Sequence, residues 1–375
     1  MTSESVWNRK MNEKPIAVLG GGAGAHMMAA DLTSRGHAVH LYEHPRFAAK
    51  FSTMLRSKTI ECSGIGPVGE FRIAKATTNI AEAVRGVEWI NVVIPATGHE
   101  LFFGELLRAV RPGQKVVVWA GDFGSLRLRK MLADAGKGKG KAPTIIETNT
   151  LPYGTRLMGP GRIKLLVVAP RVMAAALPAR GGDRAVAALK RLFPCIMPGE
   201  SVLAAAFNNP NPIVHPPGSL LNTGRIEFSG GNFYMYGEGI TESVARVIRE
   251  IYEESRRVAE RLGFGMMQYQ EADFTTKCSI MGVEFVAPFD TQGVIGSILG
   301  PCSVQDRYIT EDLPYGLVPR SELGRLVGVP TPVIDGIISV GAVVCREDYW
   351  QTGRTLAKLG LAGMSKEQIR RVVEG

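Results

Sequence analysis

PIAVLGGGAGAHMMAADLTSRGHAVHLYE, residues 15–43, indicates the fold class of this chain. PIAVLG predicts a short buried strand, and a glycine loop follows it directly. Apolar residues at helical spacing then predict a helix that ends near Gly36, and HAVHLYE predicts a second strand. A strand, a glycine loop, a helix and a second strand in this order predict a βαβ unit with parallel strands.

The glycine loop has the spacing of a dinucleotide-binding motif. Gly20, Gly22 and Ala25 fit GxGxxA, and Gly24 lies in the same loop. The first glycine permits a tight turn, the second lets the backbone approach a pyrophosphate, and the small third residue lets helix and strand pack closely. Glu43 ends the second strand, near the spacing of about 20 residues expected for an acid that binds a ribose. The stretch therefore predicts a nucleotide site.

Glu43 favours NAD as the cofactor, because a carboxylate repels the 2′-phosphate of NADP. His44 and Arg46 follow directly and could bind that phosphate, so NADP stays open as an alternative. Pro95 and Ala96 close a later predicted strand and are expected near the nicotinamide. Asp122 and Phe123 are weaker candidates of the same kind.

Further strands and helices extend the first unit into a two-domain chain. Strands are predicted at 89–97, 115–121 and 143–149, with a strand pair within 163–179. Strands that alternate with helices predict an α/β fold with a Rossmann-type, doubly wound parallel sheet over residues 15–205, after a flexible tail at 1–14. A mostly α-helical second domain is expected over 206–375. From Thr241 onward its pattern is mostly helical, and it includes one long amphipathic helix at 241–263, on whose solvated face Glu253 and Glu254 are expected.

Composition excludes several classes of protein. The chain has 375 residues, of which 45% are hydrophobic, and a net charge of +9 without aromatic–basic repeats. Its positive residues are scattered apart from KGKGK at 137–141, which is interpreted as a solvated loop, so no nucleic-acid partner is expected. Five dispersed cysteines indicate reduced thiols, and the N-terminus is polar, so a cytoplasmic protein without a membrane partner is expected.

Two proline-rich segments contain the candidate catalytic residues. NNPNPIVHPPGSLLNTG, residues 208–224, places Asn211 four positions before His215, and its prolines predict that it is not a regular helix. DRYITEDLPYGLVP, residues 306–319, places Arg307 five positions before Asp312. A histidine, a carboxylate that could orient it and an arginine that could hold an anion are the parts of a proton-transfer site. Beside a nucleotide site, they predict a hydride-transfer enzyme for an anionic substrate.

At this point the chain resembles a known family. The glycine loop with AADL and LYE, ETNTLPYGTR at 147–156 and the two proline-rich segments resemble the octopine/nopaline (opine) dehydrogenase family, over about residues 15 to 360. NPNPxxHP and RYxxEDxPxGLVP are the most specific of these motifs. The resemblance implies reversible, NAD(P)H-dependent condensation of an amino acid with a 2-oxo acid, such as pyruvate, through an imine.

The resemblance also implies roles for single residues. His215 is then the catalytic histidine, and Asp312 is its partner, which fixes the tautomer and stabilises the imidazolium; Glu311 ranks second for that place. Arg307 binds a substrate carboxylate, with Asn211 nearby. Asn222 and Thr223 are expected to line the same pocket.

Two alternative functions stay open. A simple 2-oxo- or 2-hydroxy-acid reductase would use the same histidine, carboxylate and arginine without an amine partner. A nucleotide-binding sensor would need none of the three. A metal site is not expected, because the six histidines form no HxxxH pair with a nearby acid on a predicted helix, as a zinc helix would. A monomer and a homodimer both fit the C-terminal region.

Overall fold

The computed structural model describes residues 14–138, 140 and 142–375. The expected flexible tail therefore lies outside the described residues except for Lys14, as do two lysines of the 137–141 segment. Twelve strands are present in the described part: β1 Ile16–Leu19, β2 Val39–Tyr42, β3 Thr59–Gly64, β4 Gly69–Arg72, β5 Lys75–Thr77, β6 Trp89–Val92, β7 Lys115–Val118, β8 Thr144–Thr148, β9 Tyr153–Gly159, β10 Arg162–Val168, β11 Val172–Leu177 and β12 Ile196–Pro198.

The larger sheet confirms the predicted fold class. Its order is β12-β11-β8-β7-β6-β1-β2-β5, and the six strands from β8 to β5 are all parallel. In chain order those six strands follow the 3-2-1-4-5-6 arrangement of doubly wound dinucleotide-binding sheets. β1 lies between β2 and β6, where the strand order reverses, and its four residues are all buried. The carboxyl end of β1 is thus the expected place for a ligand.

A second, smaller sheet was not anticipated from the sequence. β4, β3, β10 and β9 form it in that order, and it packs against the first helix. The strand pair predicted within 163–179 is wrong as a pair: β10 joins β9 and β3 in the small sheet, whereas β11 joins β8 and β12 in the large one. Local sequence specifies extended backbone there, but distant strands supply the hydrogen-bonding partners.

The helices alternate with the strands up to β12 and dominate after it. The described residues form α1 Ala23–Ser34, α2 Ala48–Ser57, α3 Ile80–Val84, α4 His99–Ala109, α5 Gly124–Asp134, α6 Asp183–Leu192, α7 Val202–Phe207, α8 Asn211–Leu220, α9 Thr223–Ser229, α10 Glu242–Leu262, α11 Glu271–Thr275, α12 Met281–Glu284, α13 Thr291–Gly296, α14 Arg307–Thr310, α15 Val318–Val327, α16 Pro332–Cys345, α17 Tyr349–Thr352, α18 Leu356–Leu359 and α19 Lys366–Glu374. Two π-helical turns, Met235–Gly239 and Asp312–Leu317, lie among the later helices.

The long predicted helix is α10, and its ends follow from local sequence. The Thr241 hydroxyl accepts a hydrogen bond from the Val244 N–H at its start, and Gly263 ends it with φ of 101°. The solvated position expected for Glu254 is wrong, since that side chain is fully buried. Its carboxylate accepts hydrogen bonds of 2.9 Å from the N–H groups of Val333 and Ile334, at the start of α16.

The proline-rich segment around His215 is helical, contrary to prediction, and forms α8. Pro212 lies in the first turn, where a helix does not need its N–H. Pro216 and Pro217 do lie inside the helix and remove two backbone hydrogen bonds. Residues 212 to 220 are all buried, and α8 packs against α10, α14 and α16. Burial of this segment therefore outweighs the bonds that the prolines cannot make.

Candidate active site

The glycine loop leaves open space beside the uncapped start of α1. Gly20 has φ of +130°, and a side chain there would clash with the carbonyl of Val93. Gly22 precedes the first residue of α1, where no side chain caps the helix and no acid lies in the first turn. A Cβ on Gly22 would meet no protein atom within 4 Å, so that space is free for a ligand. Uncapped N–H groups at a helix start favour a phosphate.

The next two residues of the motif bring helix and sheet together. A Cβ on Gly24 would lie 2.9 Å from Leu151 and 3.3 Å from Val93. Ala25 is fully buried, in keeping with the small third residue of the motif.

Glu43 follows β2 beside the glycine loop. Its Oε1 accepts a hydrogen bond of 2.7 Å from the His44 N–H, and its other oxygen occupies the place that a side chain on Gly21 would take. Burial raises the pKa of Glu43. The His44 ring caps the turn that follows it by accepting a bond from the Arg46 N–H, whereas the Arg46 side chain is exposed. These residues fit a dinucleotide, with its pyrophosphate at α1 and its ribose at Glu43.

Pro95 and Ala96 lie at the same edge of the sheet, although β6 ends at Val92, earlier than predicted. The N–H of Ala96 donates a hydrogen bond of 2.7 Å to Glu311 Oε1. Glu311 belongs to the second proline-rich segment, directly before Asp312. The loop expected at the nicotinamide is therefore tied to the segment that carries the candidate catalytic carboxylate.

His215 and Asp312 are brought together although they lie far apart in the sequence. His215 Nδ1 lies 2.7 Å from Asp312 Oδ2, and both side chains are about 95% buried. α8 carries the histidine, and the π-helical turn 312–317 carries the aspartate and packs against α8. Glu311, ranked second as the histidine partner, bonds to Ala96 instead, so the geometry favours Asp312.

Two tyrosines complete the surroundings of His215, and sequence reasoning missed both. The Tyr236 hydroxyl lies 2.7 Å from His215 Nε2. The Tyr308 ring stacks on the imidazole with centroids 3.8 Å apart and an interplanar angle of 6°. Tyr308 stands beside Arg307 in a motif already singled out. Tyr236 lies in GNFYMYGEG, where glycines around aromatic residues were the available signal.

Burial dominates the electrostatics of the pair. Burial, together with the smaller effect of the Arg307 charge, lowers the pKa of His215 to about 3. Burial also raises the pKa of Asp312 well above its ordinary value, and the charge of Glu311 adds to that. The arrangement thus favours a neutral imidazole beside a carboxyl group that retains a proton. The imidazolium that Asp312 was expected to stabilise is disfavoured, because burial removes the solvation that a charged ring needs.

Arg307 lies on the exposed side of the cluster formed by His215, Asp312, Tyr236 and Tyr308. It begins α14, its side chain is 58% exposed, and its Nη1 lies 3.6 Å from Glu311 Oε2. Asn211 begins α8 and is half-buried, with its N–H bonded to Asn209 Oδ1. A second cation was not anticipated: the charge of Arg156, on β9, also acts on the His215 imidazole.

Asn222 and Thr223 lie between α8 and α9, where Thr223 begins α9, and their side chains donate hydrogen bonds to backbone carbonyls. Asn222 Nδ2 donates to Gly218 at 2.9 Å and to Gly239 at 3.0 Å, which ties α8 to the π-helical turn with Tyr236. The Thr223 hydroxyl donates to Leu220 at 2.9 Å.

A group of buried polar side chains lies near the His215–Asp312 pair. Asp122 Oδ1 accepts a bond of 2.7 Å from Asn209 Nδ2, and Arg354 donates to the carbonyls of Gly121 and Asp122. Burial and the charge of Asp312 raise the pKa of Asp122. The Asp122 loop, proposed as a candidate from the sequence, therefore places a second buried carboxyl group near the first, and a negative charge on Asp312 makes Asp122 harder to ionise.

Within residues 14–138, 140 and 142–375, no cluster of three or more histidine, cysteine or acidic side chains has a geometry that could hold a metal. No helix in the described part of the chain is both long and apolar enough to cross a bilayer.

Comparison with known proteins places this geometry in a family. Residues 198–345 match the family model described as NAD/NADP octopine/nopaline dehydrogenase, alpha-helical domain. An opine dehydrogenase from Arthrobacter sp. (strain 1C) is 31% identical over 97% of this chain and 100% of its own. Vitopine synthase from Allorhizobium ampelinum is 26% identical over 96% and 99%.

Solved structures share the fold. Octopine dehydrogenase with NADH and L-arginine has a TM-score of 0.68 at 19% identity, covering 96% of this chain and 98% of that one. Yersinopine dehydrogenase with NADP+ has a TM-score of 0.69 at 16% identity, covering 97% and 98%. From the full-length match at 31% identity, together with the matching helical domain, the chain belongs to the octopine/nopaline (opine) dehydrogenase family of NAD(P)-dependent oxidoreductases that act on CH–NH groups.

Proposed function

We propose that this chain joins an amino acid to a 2-oxo acid, such as pyruvate, by reducing the imine that the two form. The observation that carries the proposal is the His215–Asp312 pair, tied through the neighbouring Glu311 to the cofactor loop at Ala96. Proton transfer and hydride transfer must meet at one carbon–nitrogen bond, and this tie brings their two sites together. The bound nicotinamide supplies the hydride.

Substrate carboxylates are held by arginines in this proposal. The product carries two carboxylates, one from each substrate. Arg307 is exposed beside the His215 cluster and takes the oxo-acid carboxylate, which a guanidinium can bind with two parallel hydrogen bonds. Arg156 takes the carboxylate of the amino acid. Its described hydrogen bond goes to the carbonyl of Thr155, so its guanidinium keeps donors for a ligand.

In this proposal Asn222 and Thr223 shape the pocket by holding its backbone in place, because their side chains already donate hydrogen bonds to backbone carbonyls. Asn222 holds the turn that presents Tyr236 to the histidine. Asn211 stands at the start of α8 with a half-buried side chain, and in this proposal it contacts the substrate.

NAD is the proposed preferred cofactor. The Glu43 carboxylate lies against Gly21, where it would accept hydrogen bonds from a ribose and repel a 2′-phosphate. Arg46 is the residue through which NADP could still bind, since its side chain is exposed nearby.

We further propose a division between the two domains near residue 205, a cytoplasmic location and a homodimer. All five cysteines are free, as expected in a reducing compartment. Sedimentation velocity of the full chain tests the dimer, and a single species at the monomer mass across micromolar concentrations would exclude it.

The function is tested by NADH and NADPH oxidation with pyruvate, 2-oxoglutarate or glyoxylate, each with and without a panel of amino acids. The proposal expects oxidation only when both an oxo acid and an amino acid are present. Oxidation with the oxo acid alone would identify a simple reductase. Cofactor binding without oxidation for any pair would contradict a catalytic role and support a sensor.

A further inference from the structure

Both ring nitrogens of His215 already have partners. Nδ1 bonds to Asp312 and Nε2 to Tyr236, each at 2.7 Å, and the Tyr308 ring covers one face of the imidazole. The His215 side chain is only 5% exposed. A substrate that took its proton directly from Nε2 would first have to displace the tyrosine hydroxyl from a short, buried hydrogen bond.

The turn that carries Tyr236 is held firmly in place. Met235–Gly239 is a single π-helical turn, a feature frequent at functional sites. Asn222 donates a hydrogen bond to Gly239, and a side chain on Gly237 would lie 2.7 Å from the carbonyl of Gly296 on α13. α13 in turn contacts β10, the strand paired with β9, which carries Arg156. The Tyr236 hydroxyl is thus held against the histidine by a turn that packs on α13 and, through it, on the small sheet that carries Arg156.

We propose that the Tyr236 hydroxyl, and not the imidazole itself, exchanges the proton with the substrate nitrogen or the carbinolamine oxygen. This inference rests on the proposed function. His215 then acts as a neutral link between Tyr236 and Asp312, and Asp312 stores the proton.

The proton transfers balance without a charged histidine. In the direction of condensation, the Tyr236 O–H bond breaks as its proton passes to the substrate. The Nε2 proton moves to the tyrosine oxygen, and the Asp312 carboxyl proton moves to Nδ1. The net change is one proton from Asp312 to the substrate. Oxidation of the secondary amine runs the same transfers backwards and leaves the proton on Asp312.

The charges around the proton relay, formed by Tyr236, His215 and Asp312, agree with this assignment. The neutral imidazole and the proton-retaining Asp312 are the states that burial favours. The groups that act on Tyr236 besides its histidine partner are Tyr308, Asp312 and Arg307. Those that act on His215 are Arg307, Glu311, Asp306 and Arg156.

The test is the oxidation of a secondary-amine dicarboxylate by NAD+ in wild type, Tyr236→Phe and the control Tyr234→Phe, as a function of pH. Tyr234 lies two residues away and is 39% exposed. The substrate amine is protonated at neutral pH and must lose that proton before the hydride can leave. Tyr236→Phe lacks the relay, so it uses only substrate that has already lost its proton in solution.

We expect turnover of Tyr236→Phe to be about 100-fold lower than wild type at pH 7, the usual weight of acid–base catalysis. The deficit should shrink towards the substrate amine pKa, about tenfold for each pH unit, while NAD+ affinity stays near wild type. The melting temperature should fall, because His215 Nε2 loses its buried partner, so turnover is compared below the melting temperature of the variant. Tyr234→Phe should follow wild type throughout. A Tyr236→Phe deficit that is the same at every pH would indicate a structural role and overturn the relay, as would unchanged turnover. Absence of NAD+ reduction by wild type with every substrate would overturn the proposed function and the relay with it.

Discussion

Replacing His215 with alanine removes the link between Asp312 and Tyr236. Each loses a hydrogen bond of 2.7 Å, and both lie in the buried part of the site. A buried polar group left without a partner costs about 1–3 kcal/mol. Two such groups give about 2–6 kcal/mol, against a typical stability of about 5–15 kcal/mol. We therefore expect a folded variant with a clearly lower melting temperature.

Turnover should fall by roughly 100-fold or more, because the variant cannot pass a proton between Tyr236 and Asp312. NADH affinity should stay at the wild-type value, since the glycine loop and Glu43 lie on other elements. The assay pairs NADH oxidation in the presence of both substrates with a fluorescence titration of NADH, below the melting temperature of the variant. His40→Gln is the matched control, because that half-buried histidine on β2 bonds only to the carbonyl of Ala83 among described residues.

Added imidazole should restore part of the activity of His215→Ala, since the vacated space lies between Asp312 and Tyr236, which are both retained. It should not change the activity of the control His40→Gln. A folded His215→Ala protein with wild-type turnover would refute the reasoning and remove His215 from the mechanism.

Three further outcomes are expected. Arg156→Gln should raise the KM for the amino acid by about 10- to 100-fold, the effect of one charged hydrogen bond. It should not change the KM for the corresponding amine that lacks the carboxylate. The control Arg162→Gln, in the same sheet, should change neither KM. Glu43→Ser should shift the ratio of kcat/KM for NADH and NADPH by about tenfold towards NADPH, and an unchanged ratio would exclude Glu43 from cofactor choice. Burial lowers the pKa of His26, so wild type loses stability as pH falls below about 6.5, the value in the unfolded chain. The difference in free energy of unfolding between wild type and His26→Gln, measured in urea, should therefore shrink by at most about 1.4 kcal/mol per pH unit below that value. A difference that is the same at every pH would show that His26 is not buried in its neutral form.

Local patterns were sufficient for much of the fold. The glycine loop, the buried apolar strands and the long helix from Thr241 to Gly263 are all specified by neighbouring residues, because turns, caps and periodicity act over a few positions. The same reasoning failed at α8. Its prolines weaken a helix locally, yet complete burial of residues 212 to 220 stabilises it. It failed at Glu254 for a similar reason, since the carboxylate caps a helix that begins far along the chain.

The sequence by itself determined the α/β class, and its short motifs predicted the nucleotide site and singled out the histidine, the arginine and two neighbouring carboxylates as candidates. Only the tertiary structure decided which carboxylate pairs with His215, that Tyr236 occupies its other nitrogen and that Arg156 acts on the same imidazole. His215 and Asp312 are 97 residues apart, and contacts over that distance depend on how α8 packs against the turn at 312–317. The pKa directions also required the structure, because burial sets them and burial is a property of the whole fold.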